Sequence, residues 1–193
     1  AELISFSSQT FYGGQLQAVK IRGRPIEEVI QFDVVDAAAS KVTRGTNEAE
    51  AEFILARLLE LLEDEEPPTV GVITPFREQQ VLLSKKLFGH LQGGAFQDRL
   101  HLKIMTCDSC QGEERQLIFY SLVATRTSDA LNYIFPVALD GADEVVEDKL
   151  KFQRLNVAFS RAQKMIWCVL SKPVEEFGGS IGRVLAHYRS VLD

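Results

Sequence analysis

Four short apolar runs constrain the fold of this chain more than anything else in it. They are Thr69–Thr74 after Pro67-Pro68, Leu100–Met105, Leu117–Ala124 and Lys164–Leu170. Each is apolar almost throughout, without the in-and-out alternation of a half-exposed strand. Such runs suit strands covered on both faces, as in a parallel sheet. Helical patterns lie between them. Asn47 to Leu62 has Asn47 as N-cap, Glu48, Glu50 and Glu52 in its first turns, and an apolar stripe of Phe53, Ile54, Leu58, Leu61 and Leu62. Arg77 to Phe88 carries Val81, Leu82, Leu87 and Phe88, and Arg154 to Ala162 and Ile181 to Leu192 complete the set. Strand and helix in alternation predict an α/β fold with a parallel sheet, helices on both faces and ligands at the carboxyl ends of strands.

The 193 residues are 46% hydrophobic and 25% charged, which excludes a disordered or collagen-like chain. One domain over 1–193 is expected. No apolar run approaches the ~20 residues needed to cross a bilayer. No charged-then-apolar leader opens the chain, so a cytoplasmic location is expected, or a nuclear one in a eukaryote. The net charge is −6, yet residues 151–193 hold seven basic and three acidic side chains. That local excess could meet a phosphate-rich partner, or could simply be a solvated helix face.

Several features mimic functional sites. Cys107-Asp108-Ser109-Cys110 has redox or zinc spacing, but the third cysteine, Cys168, and the histidines show no matching ligand pattern. Leu61 to Glu66 mimics a strand ending in magnesium-binding acids and reads better as a solvated helix end. The glycine-rich Gly178–Arg183 lacks the Lys-Ser/Thr ending of a phosphate cradle and reads as a C-terminal turn. No G-x-x-x-x-G-K-[ST] occurs anywhere in the chain.

Four segments carry the chemistry: Phe11–Leu16, Val72–Gln79, Thr106–Glu114 and Arg154–Ala162. Thr74-Pro75 ends a strand and starts a helix, which predicts outward backbone N–H groups and a hydroxyl suited to phosphates. Gly112 allows backbone to approach a ligand closely, and Glu114 can accept ribose hydroxyls. Arg154 and Arg161 are seven apart, about two helical turns, which would place both on one face to meet a polyphosphate.

The ordered set resembles the second RecA-like motor domain of superfamily 1 helicases, in the group related to the nonsense-mediated-decay helicase. The likeness runs from about Phe6 to Leu170. It includes Arg44–Glu50 for a G-S-x-N-x-x-E-A helix start, Phe76 for a tyrosine, Ser160 for a threonine, and Cys107 and Cys110 in apolar positions. The resemblance implies that Arg161 reaches the γ-phosphate of ATP, with magnesium, bound mainly by a first motor domain. It implies that Gly112 and Glu114 line the nucleotide, and that Thr74, Pro75, Thr106 and Ser109 face a single strand. Arg154 and Gln111 would couple the two sites. Single-stranded nucleic acid is the implied partner, DNA favoured over RNA, with 5′ to 3′ movement and a monomeric motor. The phosphate cradle, its acid pair and a Q-Y-R-M-H-P segment are missing from the chain, and Glu113 stands where a basic residue is common. An excised half-motor is therefore expected. A stand-alone nucleic-acid-binding or regulatory module without ATPase activity, and a domain for free nucleotide, are the alternatives.

Overall fold

The protein is described by a computed structural model over residues 29–38, 41–135, 154 and 161–190. The segment Phe11–Leu16, the acidic stretch 140–148 and residues 155–160 lie outside the described residues.

The strands are β1 (Ile30–Val34), β2 (Val70–Thr74), β3 (Lys103–Thr106), β4 (Arg115–Ser121) and β5 (Ala162–Leu170). The helices are α1 (Glu48–Leu61), α2 (Arg77–Phe88), α3 (Gly93–Asp98) and α4 (Gly179–Ser190). One-turn 3-10 helices occupy Leu131–Tyr133 and Val174–Glu176. All five strands are parallel, in the order β1-β5-β4-β2-β3.

Every residue of β2 is buried, as is β4 from Leu117 onward. Alternate side chains of a strand point to opposite faces. Val70, Val72, Leu117 and Phe119 pack with Ile54 and Leu58 of α1, Leu83 and Leu87 of α2 and Phe96 of α3. Ile73, Ile118 and Tyr120 pack on the other face with Cys107, Cys110, Phe135 and the α4 residues Ile181, Val184, Leu185 and Tyr188. The two cores explain the unbroken apolar runs.

The differences from the sequence reading have physical causes. β1 is a fifth strand whose Gln31 and Asp33 hide its pattern. It lies at one edge of the described sheet, and Asp33 there accepts the Trp167 indole N–H at 2.7 Å. β3 starts only at Lys103, because His101 has φ 46° and interrupts extension after Leu100. The inward face of α2 is Gln79, Leu83 and Leu87, while Val81 is exposed. In α1, the first-turn acid Glu50 lies on the buried face with Ile54 and Leu58. Ala162 opens β5 and Arg161 precedes it outside any helix, so the helix expected over Arg154–Ala162 does not reach its predicted end.

The glycine-rich tract is the first turn of α4, not a C-terminal turn. A Cβ on Gly182 would lie 2.1 Å from the Phe177 carbonyl oxygen, which is backbone and cannot swing aside. Gly182→Ala should therefore lower stability by ~1–3 kcal/mol, the usual range for overpacking. Urea unfolding checks this, and an unchanged midpoint would mean that α4 is free to shift.

Candidate functional site

The chain leaves β2 toward β3 on one side and leaves β4 toward β5 on the other. The crevice between the carboxyl ends of β2 and β4 is thus a topological switch point, where open α/β sheets place ligands. A buried polar network lies beside it, at the carboxyl ends of β4 and β5. Asn47 caps α1 by accepting the Glu50 N–H at 3.2 Å. Its amide donates to the Val123 carbonyl at 3.1 Å and to Ser171 Oγ at 2.7 Å. Glu50 accepts from Ser121 Oγ at 2.6 Å, the Val123 N–H at 2.9 Å and Ser171 Oγ at 2.8 Å. Gln79 accepts the Asn47 N–H at 2.8 Å and donates to the Asn47 carbonyl and to Ser121 Oγ. One asparagine, one glutamate and one glutamine thereby join α1 and α2 to the ends of β4 and β5.

Burial pushes the Glu50 carboxyl up from 4.5 to about 7, although the bonds from Ser121, Val123 and Ser171 favour its charge. The network also grips a strained backbone. Val123 has φ 69°, a region β-branched residues avoid, and the Ala124 N–H closes a three-residue turn onto the Leu122 carbonyl at 2.8 Å.

Thr74 and Pro75 lie at the same edge, but not as the sequence suggested. Both are buried, and the Thr74 hydroxyl turns inward to accept the Phe76 N–H at 3.4 Å. The Thr74 carbonyl accepts the Cys107 N–H at 3.3 Å. The expected outward hydroxyl is corrected accordingly. Thr106 and Ser109 are the more accessible pair. Thr106 Oγ1 donates to Ser109 Oγ at 3.1 Å, and the Thr106 N–H donates to the same oxygen at 2.9 Å.

Residues 107–114 run without a helix from the carboxyl end of β3 to the amino end of β4. Cys107 and Cys110 pin this crossing in the core, and burial raises their thiols to about 12 and 11. They act as apolar anchors. Gly112 has φ 78°, and a Cβ there would meet nothing within 4 Å, so its surface is open. Gln111 and Glu114 are exposed beside it. Glu114 accepts from the Gln163 amide at 3.0 Å, and the Arg161 carbonyl accepts the Arg115 N–H at 3.2 Å. Glu113 pairs with Lys103 at 2.7 Å and Arg115 at 3.3 Å.

Arg161, Gly112 and Glu114 therefore converge at the amino edge of β4 and β5. Arg161 is partly buried, and its charge favours the Cys110 thiolate. Arg154 pairs with Asp108 at 2.5 Å, at the other end of the same crossing. The two arginines thus bracket the 107–114 segment. Asp108 belonged to the Thr106–Glu114 segment without a role of its own, and Gln163 and the Glu50 network escaped the sequence reading. Only Glu50 left a signal, a carboxylate spaced four and eight residues before Ile54 and Leu58.

A family described as AAA domain matches residues 1–172. The chain belongs to that family. It is also 25% identical over 181 residues to Helicase sen1 of Schizosaccharomyces pombe, covering 86% of this chain and 10% of that protein. The chain thus spans about a tenth of that relative's length. Among solved structures, the C-terminal domain of a possible DNA helicase from Lactobacillus plantarum WCFS1 superposes with a TM-score of 0.46 at 14% identity, covering 99% of this chain and 92% of that one. Among the described residues no helix is long and apolar enough to cross a membrane.

A raised carboxyl fixes a sign. Between pH 4.5 and about 7 the folded chain holds a proton on Glu50 that the unfolded chain has released. The stabilisation is complete below the lower value and is lost as pH rises through the upper one, about 3 kcal/mol in all. Denaturant unfolding of wild type and Glu50→Gln across pH 4–8 should show this slope in wild type and its loss in the variant. Parallel curves would assign the pH dependence to other groups.

Proposed function

We propose that this domain is the second motor lobe of an ATP-driven helicase that moves 5′ to 3′ on a single strand, DNA in preference to RNA. In this reading the chain is one lobe of a longer monomeric protein of the cytoplasm, or of the nucleus in a eukaryote. A first RecA-like lobe carries the triphosphate to the amino edge of the sheet. The observation that best supports the reading is the helix-free crossing 107–114, whose two ends lie beside the two sets of motif residues.

At the amino edge Arg161 meets charge that develops on the transferred phosphoryl group, where an arginine is worth about 10³–10⁵ in rate. Open backbone at Gly112 receives the nucleotide, Glu114 accepts ribose hydroxyls, and Gln111 flanks them. At the carboxyl edge Thr106 and Ser109 contact backbone phosphates with neutral hydroxyls, which fix position without reading sequence. Thr74 and Pro75 shape the turn beside them. Arg154, held by Asp108, links the edges. Among the described residues no group of three His, Cys, Asp or Glu side chains could hold a metal ion.

Arg161→Ala in the full-length protein should cut ATP hydrolysis by at least ~10³ while single-strand binding and the unfolding midpoint stay unchanged. Near wild-type turnover would remove Arg161 from the reaction. Strand binding by a wild-type protein that never hydrolyses ATP would favour the stand-alone module.

A further inference from the structure

Tyr133 is the exposed aromatic of this lobe. Among the described residues it alone of the aromatic side chains stands open to solvent, at 68% exposure. It is not a loose surface residue. Its one-turn helix is anchored by Leu131, 1% exposed, and is followed by Phe135, 0% exposed. Apolar residues on both sides hold the ring out.

Arg44 fixes that ring. Its guanidinium carbon sits 4.4 Å over the ring centroid. Among the described residues Arg44 makes no ion pair with a carboxylate. The Arg44 backbone is itself braced. The Thr43 N–H donates to the Thr46 carbonyl at 2.9 Å, and Ser128 Oγ donates to the Thr43 carbonyl at 3.2 Å. A planar cation on an exposed ring, both preorganised, makes a surface on which a flat ligand can stack.

The position identifies the ligand. Arg44 lies three residues before the α1 cap, Asn47, which is tied to Val123 and Ser171 at the carboxyl ends of β4 and β5. Gly45 lies against Glu78 in the first turn of α2, which follows β2. The pair therefore stands on the carboxyl edge, the edge that holds Thr106 and Ser109. Beside it opens a cavity of about 290 Å³ whose lining holds the hydroxyls of Thr125, Thr127, Ser128 and Ser171 together with one acid, Asp36, and one base, Arg126. Its lining is rich in hydroxyls, the groups that meet sugar and phosphate.

We propose that Tyr133, oriented by Arg44, is a stacking platform for one base of a single-stranded nucleic acid, with the attached sugar-phosphate over the hydroxyl-lined cavity. The inference rests on the proposed strand path along the carboxyl edge and extends it past the motif residues to the loop that leads into α1. Stacking is tolerant of sequence because every base has a π-face. The platform thus contributes affinity without base preference.

The test uses the full-length protein, an oligo-dT strand, and a strand of equal length built of abasic sugar-phosphate. Tyr133→Ala should weaken oligo-dT binding about 5- to 150-fold, the ~1–3 kcal/mol of one base-aromatic stack. Tyr133→Phe and Tyr133→Trp should bind as wild type does. Tyr133→Leu keeps an apolar side chain but no π-face and should bind as weakly as Tyr133→Ala. The abasic strand should bind wild type and Tyr133→Ala alike. Wild-type affinity in Tyr133→Ala or Tyr133→Leu overturns the platform alone, as does an equal loss for the abasic strand, which would mark a structural role. A wild-type protein that binds neither strand overturns the platform together with the strand path.

Discussion

Asn47 and Glu50 hold the two sides of the Val123 residue, and the carboxyl edge is built around that grip. Asn47 takes the carbonyl and Glu50 takes the N–H. A valine at φ 69° is strained, and such strain persists only where the surroundings over-determine it. Here the surroundings are the first turn of α1, Ser121 at the end of β4 and Ser171 just past β5. Because it accepts from Ser121, Val123 and Ser171 together, the buried Glu50 side chain specifies one arrangement of three elements. An aliphatic residue at position 50 would fill the same space and fix none of them. The loop carrying Arg44 and the segment carrying Thr125 to Ser128 take their places from this clamp.

The second constraint is a matter of length. β3 has four residues, about 13 Å at ~3.3 Å each. Residues 107–114 return that distance and also step past β2 to reach β4, with no helix to take up slack. The crossing is pinned by Cys107 and Cys110, whose side chains are nearly inaccessible. The Cys107 thiol also contacts the Tyr120 hydroxyl at 3.3 Å. A short pinned segment is a stiff one. The groups at its ends, Thr106 with Ser109 and Gly112 with Glu114, keep a fixed separation across the sheet. Arg154 at Asp108 and Arg161 near Cys110 bracket it from the following segment.

Much of this was legible in the residues, for reasons that also explain what was not. Strands covered on both faces leave unbroken apolar runs, and β2, β4 and β5 were found by them. Asn47 was readable as a cap because capping is local chemistry. The edge strand β1 has only part of its surface covered and carries Gln31 and Asp33, so it left no run. Gln79 and Glu50 look like solvated polar positions until their partners arrive from 32 to 121 residues away along the chain. That satisfaction is a tertiary fact, and no local pattern encodes it. Thr74 failed for the related reason that a strand-to-helix turn announces its backbone but not the direction of its hydroxyl. The separation of the motif residues onto opposite edges follows from where β3 ends and where β4 and β5 begin in a parallel sheet, boundaries that apolar runs mark only loosely.

Charge shows how an acidic chain can still suit a polyanion. The excess in residues 151–193 is only in part available to a partner. Arg154 is spent on Asp108 and Lys172, 5% exposed, on Asp129. Arg183 and Arg189 sit on the exposed face of α4, the solvated helix face that composition alone allowed. Elsewhere, Arg126 on the carboxyl side is held by Glu176, and Lys103 at the start of β3, on the amino edge, by Glu113. With these cations neutralised inside the lobe, few counterions would leave a bound strand on their account, and counterion release is what makes binding steeply salt-dependent. What the carboxyl edge offers is hydroxyls, turn backbone, the exposed Arg77 at the start of α2, and an aromatic ring under the Arg44 guanidinium. Those groups work at short range and without regard to sequence. Under the proposed motor function, such contacts suit a lobe that releases and regains its hold better than a dense basic stripe, whose attraction would persist through each opening.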